Sequence, residues 1–446
     1  MPKPKDIPSC PEVPAQRSSD RTTREYRISV VTPLFGGGVE AGKPDETLPI
    51  RGTSIRGHLQ FWWRATRGAA FATHEQLFVR HAEVWGTTEK ASPIEIDLRE
   101  VTTSRPQPCA RYEWNPNARR GQGGWRLSWE ARFANSALSY ALFPFQGKPP
   151  PSRDANPEEP PALFIETASF NLRARYPEVL RKEVETAIWA WVNFGGLGTR
   201  TRRGCGALSC EDLAPKDIAD LQDWFRSRAG NESAAVRDWP TLPASVLVSG
   251  EVSTSVEAWK KVINLLQHFR QGSGFARNPG EPNNRPGRSR YPEPETIRRV
   301  TDRRSGQHAR LTQIPDDAFP RAELGLPIVF HYQGQGEPPD TVLYPGKGLD
   351  GQPRERMASP LILKPLALGN GRAVPLIMRL LTPTLTGADL RQGEESLPLP
   401  PTTAIRDGRL ATYRDSPLAG SASGSALDAF LVLARHADHG FREVKR

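Results

Sequence analysis

Residues 193–206 read NFGGLGTRTRRGCG, five glycines and three arginines in fourteen positions, and what flanks this segment constrains the fold more than its composition does. Before it, Leu180, Val184, Ile188 and Trp191 recur at helical spacing behind Pro177, a residue suited to the first turn of a helix. After it, ALSC (207–210) is short and strand-like. The glycine loop therefore leaves a helix and enters a strand. Phosphate-binding turns of nucleotide-dependent enzymes run in the opposite order, strand to loop to helix, and the segment is not G-x-x-x-x-G-K-[ST]. A dinucleotide site has the same requirement. Gly195 and Gly196 read by themselves as a helix stop. Arg200, Arg202 and Arg203 ask for more, because guanidinium groups beside bare backbone suit a polyanion.

Read outward from this loop, the chain orders its periodicities as strand, helices, strands, helix, glycine loop, strand. YRISVVTPLF (26–35) is strand-like and runs into a glycine-rich loop. Thr53 or Ser54 is expected to cap a helix carrying Ile55, Leu59 and Trp62 on one side and Arg56, Gln60, Trp63 and Arg67 on the other. A second helix is expected near 74–84 and a strand in PIEIDLREVT (93–102). LSYALFPF (138–145) and ALFIETASFNLRARY (162–176) read as further strands. This is close to β-α-β-β-α-β, the ferredoxin-like arrangement, with insertions. The stretch 211–240 is polar and acidic and reads as a boundary. ASVLVSG (244–250) then starts a sparser version of the same plan. A helix in SVEAWKKVINLLQHF, strands in LPIVFHY (326–332), SPLILKPL (359–366) and VPLIMRLL (374–381), and a final helix in ALDAFLVLARHA (426–437) follow, with no evident last strand. The fold class expected is α+β: two ferredoxin-like domains with long loop insertions. The divisions are a Pro-rich arm over 1–24, a first domain over 25–211, a linker or insertion over 212–243, and a second, divergent domain over 244–446 with a basic loop at 271–310.

Sixty basic against fifty acidic residues give a formal charge of +10, and 48 of the sixty are arginine. Such a balance points to nucleic acid, an anionic surface or acidic partners. No apolar run approaches the ~20 residues of a membrane span, and the first residues lack the apolar core of a signal peptide; a cytoplasmic protein is expected. Cys10, Cys109, Cys205 and Cys210 form no C-x-x-C and no disulfide framework, so reduced thiols are expected. No H-E-x-x-H, paired-cysteine or EF-type pattern predicts a metal, and no cofactor is expected.

Three arginine clusters remain. Arg51, Arg56, Arg64 and Arg67 surround the first helix; Arg200, Arg202 and Arg203 sit in the loop; Arg288, Arg290, Arg298 and Arg299 lie in the aperiodic stretch 271–310. Arginines contact phosphate and stack on bases, as Phe61, Trp62, Trp63 and Phe194 also could. Two other readings stay open. His58, beside arginines, could move a proton in metal-independent RNA cleavage, or the arginines could meet acidic subunits of an assembly.

Several stretches together resemble one family. VTPLFGGGVEAGKPDETLPIRGTSIRGHLQFWWRA (31–65), VWGTTEKASPIEI (84–96) and FGGLGTRTRRGCGAL (194–208) are similar to motifs of the first subunit of the Cmr effector complex, the type III-B CRISPR assembly built from RAMP-superfamily proteins. SRYPEPETIR (289–298) and RMASPLILKPL (356–366) resemble its second half. The resemblance implies paired ferredoxin-like domains that bind RNA without a catalytic centre. It further implies guide and target RNA as ligands, contacted near the 3′ end of the guide. The implied protein neighbours are the repeated backbone RAMP and a related terminal RAMP. By the same resemblance Gly195, Gly196, Gly198, Gly204 and Gly206 match the family's loop, Arg200, Arg202 and Arg203 its basic members, and Arg51 and Arg56 the entry to the first helix. His58 inherits no catalytic role from it.

Overall fold

The computed structural model describes residues 20–40, 42–117, 123–229, 236–272, 289–306, 315, 317–332, 334–347, 351–413 and 416–446. Arg288 and Cys10 lie outside these residues, as do most of the 1–24 arm and much of the 271–310 stretch. Elements β1 (Arg21–Val30), α1 (Gly52–Ala65), β2 (Glu95–Thr103), β3 (Ala168–Pro177), α2 (Arg181–Phe194) and β4 (Leu208–Ser209) build the first sheet and its helices. The sheet order is β2-β3-β1-β4, all antiparallel. With two helices in the crossovers this is the ferredoxin-like topology expected from the sequence. β3 shows why the strand forms: its residues alternate between buried and half-buried along the whole length, which is the period-2 pattern of a sheet with one face on a core.

The plan repeats. β5 (Ser245–Val248), α3 (Ser255–Gln271), β6 (Leu361–Ala367), β7 (Ala373–Arg379), α4 (Ala426–Arg435) and β8 (Arg442–Lys445) give the order β6-β7-β5-β8, again antiparallel. The last strand missing from the sequence reading is β8. Only Val444 of Arg442–Lys445 is buried, so this edge strand is defined by its backbone ladder to β5 and hardly at all by side-chain pattern. A further four-stranded sheet joins Ile328–Phe330 and Thr341–Pro345, inserted between α3 and β6, to Ala388–Gln392 and Glu395–Leu397, inserted between β7 and α4.

β6 and β7 are buried on both faces, and the alternation assigns the faces. Ile362, Leu366, Val374, Leu376 and Met378 join the core that holds Trp63, Trp189, Trp191 and Phe194 of the first unit. Leu361, Leu363 and Ile377 join the core around Trp259 and Ile263 of α3. The second sheet is thus a shared wall, and apolar burial is continuous between the two ferredoxin units.

Several local expectations are corrected. LSYALFPF is not a strand: Ser136–Leu142 is an α-helix capped by the Asn135 side chain, followed by a 3₁₀ turn. A short apolar run carries no decisive period, and the cap decides it. α1 is not capped by Thr53 or Ser54. It starts at Gly52 behind Arg51, with no side-chain cap. Pro177 ends β3, and a 3₁₀ turn (Glu178–Leu180) precedes α2. The polar 211–240 stretch includes the helix Leu221–Ala229, whose Leu221, Trp224 and Phe225 pack into the core beside Trp189 and Phe194. The 271–310 stretch is not wholly aperiodic, since Glu293–Val300 is a helix.

Candidate nucleic-acid interface

The glycine loop folds back on itself where the two units meet. The amide of Leu197 donates to the Gly206 carbonyl at 2.9 Å, that of Gly206 to Pro33 at 2.9 Å, and that of Thr199 to Phe35 at 2.8 Å. Buried Thr32 fastens the return: its hydroxyl donates to the Gly204 carbonyl at 2.6 Å and accepts from the Ala207 amide at 2.8 Å. Thr32 is a site-building residue the sequence did not single out, because nothing local distinguishes it from any strand threonine.

Close packing explains the glycines. Gly204 sits at φ +85°, and a Cβ there would lie 2.5 Å from the Trp259 ring of α3. Gly195 is not a left-handed helix stop; its φ is −92°. A side chain at Gly195 would lie 2.6 Å from both the Trp191 carbonyl and the Trp62 indole nitrogen. The bare backbone serves the protein's own joint. By contrast Arg200, which is not glycine, takes φ +57°, a left-handed conformation that costs energy in an L-residue.

The loop is stitched to the second unit. Trp259 Nε1 donates to the Arg203 carbonyl at 2.6 Å. The Arg203 guanidinium donates to Leu361 at 2.9 Å and to Leu324 at 3.3 Å, and Arg202 donates to the Ser359 carbonyl. From the other side Lys364 of β6, fully buried, donates to the carbonyls of Asn193 (2.8 Å) and Gly195 (2.9 Å) at the end of α2. A cation at a helix C-terminus meets the negative end of its dipole.

The loop arginines thus have different duties. Arg203 and Arg202 tie the units together, and Arg202 also lies over the Phe61 ring of α1, 5.7 Å from its centroid. Arg200 has a buried Nε with no hydrogen-bond partner. Burial holds the Arg200 and Arg203 guanidinium groups below their usual range, and the neighbouring Arg270 at the last turn of α3 acts in the same direction on both. Among the described residues no carboxylate forms an ion pair with Arg200 or Arg203, and their neighbours include Arg202 and Arg270. Arginine stays protonated, so the cluster holds positive charge that a phosphate would neutralise.

The remaining sequence-predicted residues are scattered. Arg51 donates to the Gly37 carbonyl, and Arg56 to the carbonyls of Trp85 and Ile94. Arg64 is half-buried beside His81. Arg67 and Arg80 flank the buried Glu183, which also accepts from Trp63 Nε1 at 2.6 Å. Both tryptophans of α1 are in the core, so neither offers a face to a base. Arg290 lies against Gly272 and has a buried, unpartnered Nε. Arg299 is half-buried on the same short helix as Arg298. Arg298 itself is inside the protein, 4% exposed, between Glu295 and Glu337 at 2.7 Å each. Its placement as a strand contact is corrected: with both carboxylates engaged, no edge of it is left for RNA. His58 stacks on Trp191 at 6.4 Å with its pKa lowered by burial. Among the described residues no group of three His, Cys, Asp or Glu side chains is placed to hold a metal ion. No helix among them is long and apolar enough to cross a membrane.

Residues 27–209 match the RAMP superfamily. The RAMP match spans the first sheet from β1 to β4. A curated relative, CRISPR system Cmr subunit Cmr1-2 of Pyrococcus furiosus, is 22% identical over 202 residues, covering 42% of this chain and 95% of the relative. Among solved structures, Cmr1 from Pyrococcus furiosus in its apo form aligns with a TM-score of 0.45 at 20% identity, over 82% of this chain and 90% of that one. A chain of the type III-B Cmr-beta complex bound to cognate target RNA aligns with a TM-score of 0.43 at 12% identity, over 80% of this chain and 94% of that one.

Proposed function

We propose that this protein is an RNA-binding subunit of a type III-B CRISPR ribonucleoprotein, one that positions RNA and does not cut it. It contacts guide RNA, target RNA or their duplex near the 3′ end of the guide. Its protein partners are other Cmr subunits, the repeated backbone RAMP and a neighbouring terminal RAMP among them, in the cytoplasm. Similarity to Cmr1 relatives supports membership of such a complex. The observation that carries RNA binding is the Arg200 guanidinium, whose buried Nε has no hydrogen-bond partner, set with Arg203 and Arg270 where the two ferredoxin units meet and with no ion pair to Arg200 or Arg203 among the described residues. Phosphate contacts of this kind hold a strand in place without reading its bases.

The test is a salt titration of single-stranded RNA binding by the full chain and by Arg200→Ala/Arg270→Ala. Arg203 is left in place because its loss would open the joint. Each phosphate neutralised on a single strand contributes about 0.7 to the salt slope, so the double variant should bind more weakly with a slope shallower by about 1.4. RNA recovered intact from the same tubes supports a non-catalytic role. Equal binding by both proteins would move these arginines to a protein interface and favour a scaffold.

A further inference from the structure

Arg202 also lines a cavity of about 370 Å³. The wall continues from the glycine loop through Pro345–Lys347, the segment Arg354–Ala358 and the segment Thr382–Thr386 of the second unit. The volume lies at the low end of the ~300–1,000 Å³ range of ligand clefts. That is room enough for one nucleotide.

The cations around it fall into two groups. Arg379 and Arg406 are neutralised by Asp428 and Glu323. Asp238, which also lines the space, faces His74 at 3.7 Å. Lys347, Arg354 and Arg356 are exposed, and among the described residues no carboxylate pairs with them. Glu355, between the two arginines in sequence, is in range of Arg391. Three exposed cations without an ion-pair partner among the described residues therefore line the cavity. Met357, Leu385 and the buried Leu427 supply an apolar interior, and Thr382, Thr384 and Thr386 set hydroxyls in its wall. An apolar surface for a base face, hydroxyls for polar edges and cations for a phosphate are together the chemistry of one nucleotide.

We infer that this cavity takes a single unstacked nucleotide of a bound RNA strand, with its phosphate against Lys347, Arg354 and Arg356 and its base against Met357 and Leu385. The inference rests on the RNA-binding reading above. Arg202 links the two sites, since it belongs to the loop, lies over Phe61 and forms part of the cavity wall.

The experiment walks a single 2-aminopurine through a single-stranded RNA and records its fluorescence on binding to the full chain. An unstacked probe brightens, so one or two positions should rise above the rest. The rise should vanish in Arg354→Ala/Arg356→Ala, which alters exposed side chains only, and in Leu385→Trp, which fills the cavity. Affinity of the first variant should fall roughly tenfold, as for lost charge-assisted contacts. Millimolar adenosine monophosphate should suppress the rise. RNA bound equally by wild type and both variants, with the same fluorescence at every position, overturns the cavity assignment and leaves RNA binding standing. Adenosine monophosphate bound in the cavity but not displaced by RNA assigns the site to a free nucleotide and overturns its place on the strand. Absence of RNA binding by the wild type overturns the RNA reading itself, and this inference with it.

Discussion

The Lys364 ammonium of the second sheet donates to the Asn193 carbonyl at the end of α2, 2.8 Å away and across the joint between the two units. It also reaches the Gly195 carbonyl, so one side chain satisfies acceptors that a helix end otherwise leaves open. Burial pushes the Lys364 pKa down to about 7.

A stability difference that varies with pH follows. The folded-state pKa lies below the unfolded value of about 10.4, so between these limits the unfolded chain holds more protons and native stability rises with pH. Lys364→Met lacks that titration and orphans the carbonyls, at a cost of about 1–3 kcal/mol. Urea unfolding of both proteins should show the variant's deficit widening from pH 7 towards pH 10, by at most ~1.4 kcal/mol per unit. A deficit that stays constant over this range would mean the ammonium is retained in the fold.

Gly204→Ala tests the joint from the other side. The φ of +85° and the 2.5 Å approach to Trp259 oppose any side chain there. A loss of roughly 2–3 kcal/mol is expected from strain and overpacking together. Gly250, with no atom near its would-be Cβ, is the control, and Gly250→Ala should change stability by less than about 0.5 kcal/mol.

Arg298 and Arg200 should separate by phenotype. Arg298→Ala strips a buried cation from Glu295 and Glu337 and should cost about 3–5 kcal/mol, while the folded fraction keeps its RNA affinity. Arg200→Gly should hold or raise stability, because glycine accepts φ +57° without strain, while weakening RNA binding. Thermal melts and filter binding on both variants decide it. Equal RNA defects per folded molecule would place Arg298 at the strand after all.

His58→Ala addresses the enzymatic alternative. The ring stacks on Trp191 and burial disfavours its charged form. Incubated with labelled RNA at pH 5.5–8, wild type and variant should both leave the strand intact. Cleavage by the wild type that disappears in the variant would establish a metal-independent nuclease.

Much of this was legible along the chain. The stripes Ile55-Leu59-Trp62, Leu180-Val184-Ile188-Trp191 and Val256-Trp259-Ile263-Leu266 predicted α1, α2 and α3, because helical burial repeats with a period that local spacing reports. The order of these stripes against the apolar strands was enough for the ferredoxin plan of the first unit and for all but the last strand of the second. β8 and the helix Ser136–Leu142 were not legible, since one is held by a neighbour's backbone and the other turns on a single cap.

What the sequence determined by itself, then, was the period of each segment and therefore its element and its place in the topology. Which arginines are free was settled only by tertiary structure. Arg203, Arg298 and Arg200 look alike in a row of letters. The first is held by carbonyls of another unit, the second lies between two buried carboxylates, and the third has a guanidinium nitrogen with no partner. The physical reason is that periodicity is a property of consecutive residues, whereas the charge state and availability of a side chain depend on groups that folding brings to it, from Glu337, 39 residues from Arg298, to Leu361, 158 residues from Arg203.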